Sequence, residues 1–207
     1  MGQSKLKKQQ STNKPLTEDL VRAVSQALIK LARAASAQYG VDCAMHAGLG
    51  QQLLKREGID AQIVNGEAAW RVGEGDGDMV VHAKMPGMVY QGENALAFHS
   101  WLEYGEYIID FTVYQLVEKA EALDQLDGGK TTVDWCPDYL FAKRETATSL
   151  HAATQGGTGL YHYRKDPVIH NKVMANWKGV DQEDLNNLIR IMDNPDMMVL
   201  GPMNMGL

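Results

Sequence analysis

Apolar residues recur at helical spacing in two early stretches of the chain and at alternate positions in two later ones. Leu20, Val21, Val24, Ala27, Leu28, Leu31 and Ala35 fall on one face of a 3.6-residue period. Thr17 stands where an N-cap belongs, and Gly40, after Tyr39, is where this first helix is expected to end. Asp42 caps a second predicted helix, with Ala44, Ala47, Gly48, Leu49, Leu53 and Leu54 on its apolar face and Gly58 as its terminator. Its small residues predict a central helix that neighbours approach closely. Ile59, Ala61 and Ile63 then alternate, which predicts a strand from Ile59 to Val72. The VGEGDGD run marks a surface turn, 79–83 a short strand, and 86–94 a loop.

The run ALAFHSWLEYGEYIIDFT predicts a hairpin. Leu96, Phe98, Ser100 and Leu102 share one face, and Ala97, His99, Trp101 and Glu103 the other. A two-residue turn at Gly105 and Glu106 sets Tyr104 opposite Tyr107. Trp101 then lies opposite Asp110 and His99 opposite Thr112. His99 and Asp110 become diagonal neighbours on one face, about 7–8 Å apart at the backbone and within side-chain reach. A slip of one residue would send Asp110 to the other face.

Beyond the hairpin, residues 113–126 have helical spacing in Leu116, Val117, Ala120 and Leu123. Short strands are expected at 131–135 and 139–142. HAATQGGTGLYHYRKDP reads as loop, and Asp181 opens a last helix through Leu185, Leu188, Ile189 and Met192. The methionine-rich end, DMMVLGPMNMGL, is expected to end loosely or to cover an apolar patch. Residues 1–15, polar and lysine-rich, read as a flexible tail before a single domain over 16–207. With 207 residues, 44% of them hydrophobic, the chain can bury a sizeable core. A net charge of −6 gives no basic field for nucleic acid or anionic membrane, and no apolar run reaches the roughly 20 residues of a membrane span. No secretory leader is visible, so a cytoplasmic enzyme of bacterial type, with free thiols at Cys43 and Cys136, is the expectation.

The chemistry-bearing residues follow an order: Cys43 at a helix start, then His99 and Asp110 on the hairpin. A helix N-terminus and a nearby imidazolium both favour a thiolate, and a carboxylate fixes the imidazole's tautomer. Backbone N–H groups at the helix start, with Gln38 or Tyr39 just upstream, are the expected oxyanion donors. Trp101 is expected beside the substrate. Rival uses of the other side chains are weaker. His46, one turn after Cys43, reads as a solvent or groove residue, and Cys136 as core packing. His151, His162 and His170 are spaced like no common zinc site. Gly156, Gly157, Thr158 and Gly159 lack the lysine of a phosphate loop, and the acidic VGEGDGD reads as a turn before it reads as a calcium site.

Over about residues 38–115 these features resemble the papain-like superfamily in its transglutaminase-like form. The resemblance rests on the cysteine opening the helix of 43–58, on the strand IDAQIVNGE, on His99-Ser100-Trp101-Leu102-Glu103, and on Ile108-Ile109-Asp110-Phe111-Thr112. Phe111 stands where the family often has proline. The resemblance implies an α+β fold, with N-terminal helices packed on a mostly antiparallel sheet. It implies Cys43 as nucleophile, His99 as base and Asp110 as orienting acid, with no metal and no cofactor. The expected reaction is thiol-dependent hydrolysis of an amide, peptide or isopeptide bond through a thioester. Acyl transfer to an amine and a non-catalytic binding protein are the alternatives. The expected partner is a peptide, a protein or a small amide.

Overall fold

The computed structural model describes residues 15–35, 42–83 and 97–203. Among these, six strands form one wholly antiparallel sheet: β1 (Gln62–Arg71), β2 (Met79–His82), β3 (His99–Tyr104), β4 (Tyr107–Asp110), β5 (Leu140–Lys143) and β6 (Tyr161–Lys165). Strand β1 is the hub. It pairs with β3 over Gln62 to Gly66 and with β2 over Ala68 to Arg71, and β6 runs along its opposite edge from Gly66 to Trp70. Gly66 is required where β6 closes in, since a Cβ there would run into the backbone of Arg164 and Lys165.

The helices form because their apolar stripes have somewhere to go. Helix α1 (Glu18–Ala34) is capped by Thr17, whose hydroxyl accepts from the Leu20 N–H at 3.3 Å. Its buried Val21, Val24 and Leu28 meet Leu49, Leu53 and Leu54 of α2 (Cys43–Arg56) and Leu188 and Ile191 of α6 (Gln182–Asp193). This cluster covers the sheet face that carries Leu102, Ile109 and Phe111. A second cluster lies on the opposite face. There Val64, Trp70, Trp101 and Ile108 pack on Leu116 and Ala120 of α3 (Leu116–Asp127). Truncating a fully buried leucine such as Leu53 to alanine should cost about 2–5 kcal/mol, against about 1 kcal/mol for the Thr17 cap. The core, rather than helix propensity, therefore holds these elements.

Helix α2 is approached as closely as its small residues predict: a Cβ on Gly48 would stand 2.6 Å from the Trp177 ring. Gly58, at φ +84, turns the chain out of it. The hairpin register is as the spacing requires, with Tyr104 opposite Tyr107 and Leu102 opposite Ile109, and Gly105 at φ +57 in the turn.

Two expectations, for 131–135 and for 151–167, are corrected. Residues 131–135 join no strand: the Asp134 and Trp135 N–H groups converge on the Val72 carbonyl, while Thr132 N–H donates to Asp78. The run read as loop folds into α4 (Leu150–Gln155) and β6, because Ser149 caps the helix and β1 offers an open edge. Residues Pro167–Asn176 form α5, with Asp166 accepting from Val168 and Ile169 N–H. The methionine-rich segment does not fray before residue 203: Val199 packs on the helical core and Met203 N–H donates to the Ala34 carbonyl. The expected tail at 1–14, the expected helix end at Gly40 and the loop at 86–94 lie outside the described residues. Among the described residues, no helix is long and apolar enough to cross a membrane.

Candidate active site

His99 is the first residue of β3 and Asp110 the last of β4. The hairpin's parity puts both on the face that looks toward α3, together with Trp101 and Thr112. His99 Nε2 lies 2.7 Å from Asp110 Oδ2, and both side chains are fully buried. Cys43, the first residue of α2, comes from the helices on the other face. Its thiol is met by the His99 imidazole and by the Ser100 backbone N–H. His99 Nδ1 makes no hydrogen bond of normal geometry with any other group, which leaves that nitrogen for the thiol. Cys43, His99 and Asp110 are thus brought together in that order, with 6% of Cys43 exposed.

A buried carboxylate is costly unless its lone pairs are filled. Asp110 is filled on both oxygens. Oδ2 accepts from Tyr163 Oη at 2.6 Å as well as facing His99, and Oδ1 accepts from Thr112 N at 2.8 Å and Thr112 Oγ1 at 2.9 Å. Tyr163, from β6, is itself fixed by the Trp70 indole N–H at 2.9 Å. Trp70 meets the His99 ring edge-on at 4.8 Å between centroids, and Trp101 stacks on its other side at 6.3 Å. The imidazole therefore has one orientation available. Beneath Thr112 lies a buried lysine of α3: Lys119 Nζ donates to Thr112 O at 3.1 Å and Thr112 Oγ1 at 2.9 Å, and stands 5.1 Å over the Trp70 ring.

These contacts set the charges. Burial pushes the Asp110 carboxyl up, but His99, Lys119 and Tyr163 outweigh it and hold the group far below the usual carboxylate range. Burial pulls the His99 imidazole down, and Asp110 and the thiol more than reverse this, leaving it above its ordinary value. Burial pushes the Cys43 thiol up, yet His99, Lys119 and the Ser100 N–H bring it below its ordinary value. A lowered thiol beside a raised imidazole favours a thiolate–imidazolium pair.

A second polar cluster borders this one. Asp42 caps α2 by position only: its carboxylate makes no bond to the first helical turn. It faces His46 Nδ1 at 3.3 Å and accepts from Gln115 Nε2 at 3.3 Å. His46 Nε2 lies 3.0 Å from Tyr114 Oη. His46 is 5% exposed, which corrects its reading as a solvent residue.

Other expectations fall as follows. Gln38 and Tyr39 lie outside the described residues. Trp101 is 1% exposed and donates its indole N–H to Glu103 at 3.3 Å, so it is a wall behind His99 and not a donor to substrate. Cys136 is exposed, its sulfur near the Val113 and Tyr114 carbonyls, and is not core packing. His162 bonds the Thr148 carbonyl at 2.8 Å, His170 meets Asn65 at 3.1 Å, and His151 is exposed. Among the described residues, no three His, Cys, Asp or Glu side chains are grouped to hold a metal.

Tyr163, Trp70 and Lys119 are what sequence reasoning missed. Lys119 left a signal. It is three residues after Leu116 and one before Ala120, a position that the apolar face of α3 should fill with an aliphatic. Tyr163 left a fainter one, the alternating aromatics of YHYRK.

A family described as "Protein of unknown function (DUF2026)" matches residues 13–194. Comparison with the curated proteins finds no match. Among solved structures, one described as "The crystal structure of genomics APC5867" is similar, with a TM-score of 0.57 and 18% identity over 86% of this chain and 79% of that one. At that identity the likeness is one of fold.

Proposed function

The chain belongs to the DUF2026 family, and from its own geometry we propose that it performs thiol-dependent acyl chemistry, with Cys43 as nucleophile, His99 as general base and acid, and Asp110 as orienting carboxylate. The observation that carries this reading is a buried His99–Asp110 hydrogen bond with the Cys43 thiol, from a helix far back in the sequence, brought to the same imidazole. A thiol-bearing helix end set against an antiparallel sheet that carries histidine and aspartate supports the papain-like, transglutaminase-like form of the fold.

The Cys43 thiolate attacks the carbonyl carbon of an amide, and backbone N–H groups at the start of α2 stabilise the oxyanion. His99 gives its proton to the leaving amine as the C–N bond breaks, and a thioester remains on Cys43. Water, deprotonated by His99, then attacks the thioester, releases the acid and regenerates the thiol. Peptide or isopeptide hydrolysis is the first reading. A primary amine in place of water gives acyl transfer. The reading requires a reduced Cys43.

The test uses 4-nitrophenyl acetate as an activated acyl donor. Nitrophenol release in a burst and the mass of one acetyl group on Cys43 are expected, both absent in Cys43→Ala. Added glycine amide then separates the two fates: acetylglycine amide marks transfer, acetate marks hydrolysis. An intact protein whose Cys43 never acquires the acetyl group, while free cysteine does, overturns the proposal.

A further inference from the structure

Lysine is a costly choice at position 119. It is 2% exposed, and burying an ammonium carries a penalty of several kcal/mol even after relaxation. Leucine or methionine would continue the apolar face made by Leu116 and Ala120 at no such cost. Lys119 instead spends two N–H donors on Thr112, and the same Thr112 hydroxyl donates onward to Asp110 Oδ1. Hydrogen bonds run from Lys119 through Thr112 and Asp110 to His99, and the His99 imidazole acts in turn on the Cys43 thiol.

We propose that Lys119 is a positioning residue of this site, a fixed buried cation that holds the Asp110 carboxylate through the Thr112 hydroxyl and sets positive charge beside the Cys43 thiolate. The inference rests on the reading of Cys43 as nucleophile. Lys119 faces the carboxylates of Asp110 and Asp42 and the thiols of Cys43 and Cys136. Its charge also bears on the imidazoles of His46, His82 and His99. Tyr163 completes the surroundings of Asp110 from β6.

Removing the cation has a signature of its own. The thiolate loses a favourable neighbour, so thiol ionisation moves to higher pH. The imidazolium loses a repulsive neighbour, so its deprotonation moves to higher pH too. Dismantling the site does something different: the thiol rises toward its ordinary value and the imidazole falls toward its own, and the two approach each other.

Iodoacetate distinguishes these. As an anion it reacts fastest with a thiolate beside an imidazolium, and its rate against pH is a bell with one limb for each group. In Lys119→Met both limbs should shift upward by about one pH unit, a tenfold loss of rate on the acid limb. Lys119→Gln, which can still donate to Thr112, should shift them in the same direction. Limbs that stay in place in both variants, or that approach each other, overturn the inference. So does failure of both variants to fold, which would make the lysine purely structural. A native protein with a single limb at an ordinary thiol value would instead overturn the nucleophile reading, so the two failures are told apart.

Discussion

His46 and His99 both stand near Cys43, both are buried, and each has an aspartate beside it. They titrate in opposite directions. Burial pulls both imidazoles down. At His99 the nearby carboxylate is 2.7 Å away, held on both oxygens by Tyr163 and Thr112 and kept ionised by His99 itself with help from Lys119, and it more than reverses the effect of burial. At His46 the Asp42 carboxylate is 3.3 Å away and shared with Gln115, and the other ring nitrogen meets a neutral phenol, so burial prevails. An aspartate next to a histidine is therefore not enough to make a charged imidazole. What separates the two is distance and shape: Asp110 stands closer to its histidine and accepts from Tyr163 on one oxygen and from Thr112 twice on the other.

The largest effect is expected from His99→Ala. Without the imidazole, burial dominates at Cys43, and alkylation by iodoacetamide at neutral pH should fall by roughly 100-fold, with its midpoint moved to higher pH. A rate within twofold of the native protein would erase the distinction between the two histidines.

Tyr163→Phe removes one donor from Asp110 Oδ2 and should cost about 1.5–2 kcal/mol of stability at pH 7, read from denaturant midpoints. The sign with pH follows from linkage. The native Asp110 carboxyl lies below its unfolded value, so its stabilisation is complete above about pH 4 and is lost as pH falls from there toward the native value. The two stability curves should therefore converge in acid. A gap that stays constant down to pH 2 would mean Tyr163 acts by packing alone.

His46→Gln is the smallest, about 1 kcal/mol from the lost bond to Tyr114, with no change in the pH profile of Cys43 alkylation. The native His46 lies below its unfolded value. It takes up its proton more readily when unfolded, and the native protein loses stability as pH falls through about 6.5. The variant should lose less between pH 7.5 and 5.5. A fall in thiol reactivity like that of His99→Ala would show that the thiol depends on both histidines.

The candidates Cys43, His99 and Asp110 were legible because the local setting of each is fixed within a few residues. A thiol behind Asp42 at the head of an apolar period is a short-range pattern, and the parity of the hairpin follows from a two-residue turn with Gly105 first. Helix α6 was legible for the same reason, with Asp181 accepting from Glu183 and Asp184 N–H at its start. The loop reading of 151–167 failed because β6 has few apolar residues of its own and exists through the open edge of β1. The strand reading of 131–135 failed because the backbone there is satisfied by Val72 and Asp78 instead of a ladder.

The sequence by itself determined which side chains could serve as thiol, base and carboxylate, and that the last two share a face, because strand alternation and turn length act within a few residues. The tertiary structure decided that the thiol reaches them from the other side of the sheet, and that Tyr163, Thr112 and Lys119 converge on Asp110. It also decided which of two buried imidazoles is raised and which is lowered. Charge state depends on distances of a few ångströms between groups far apart in the chain, and no local pattern carries that information.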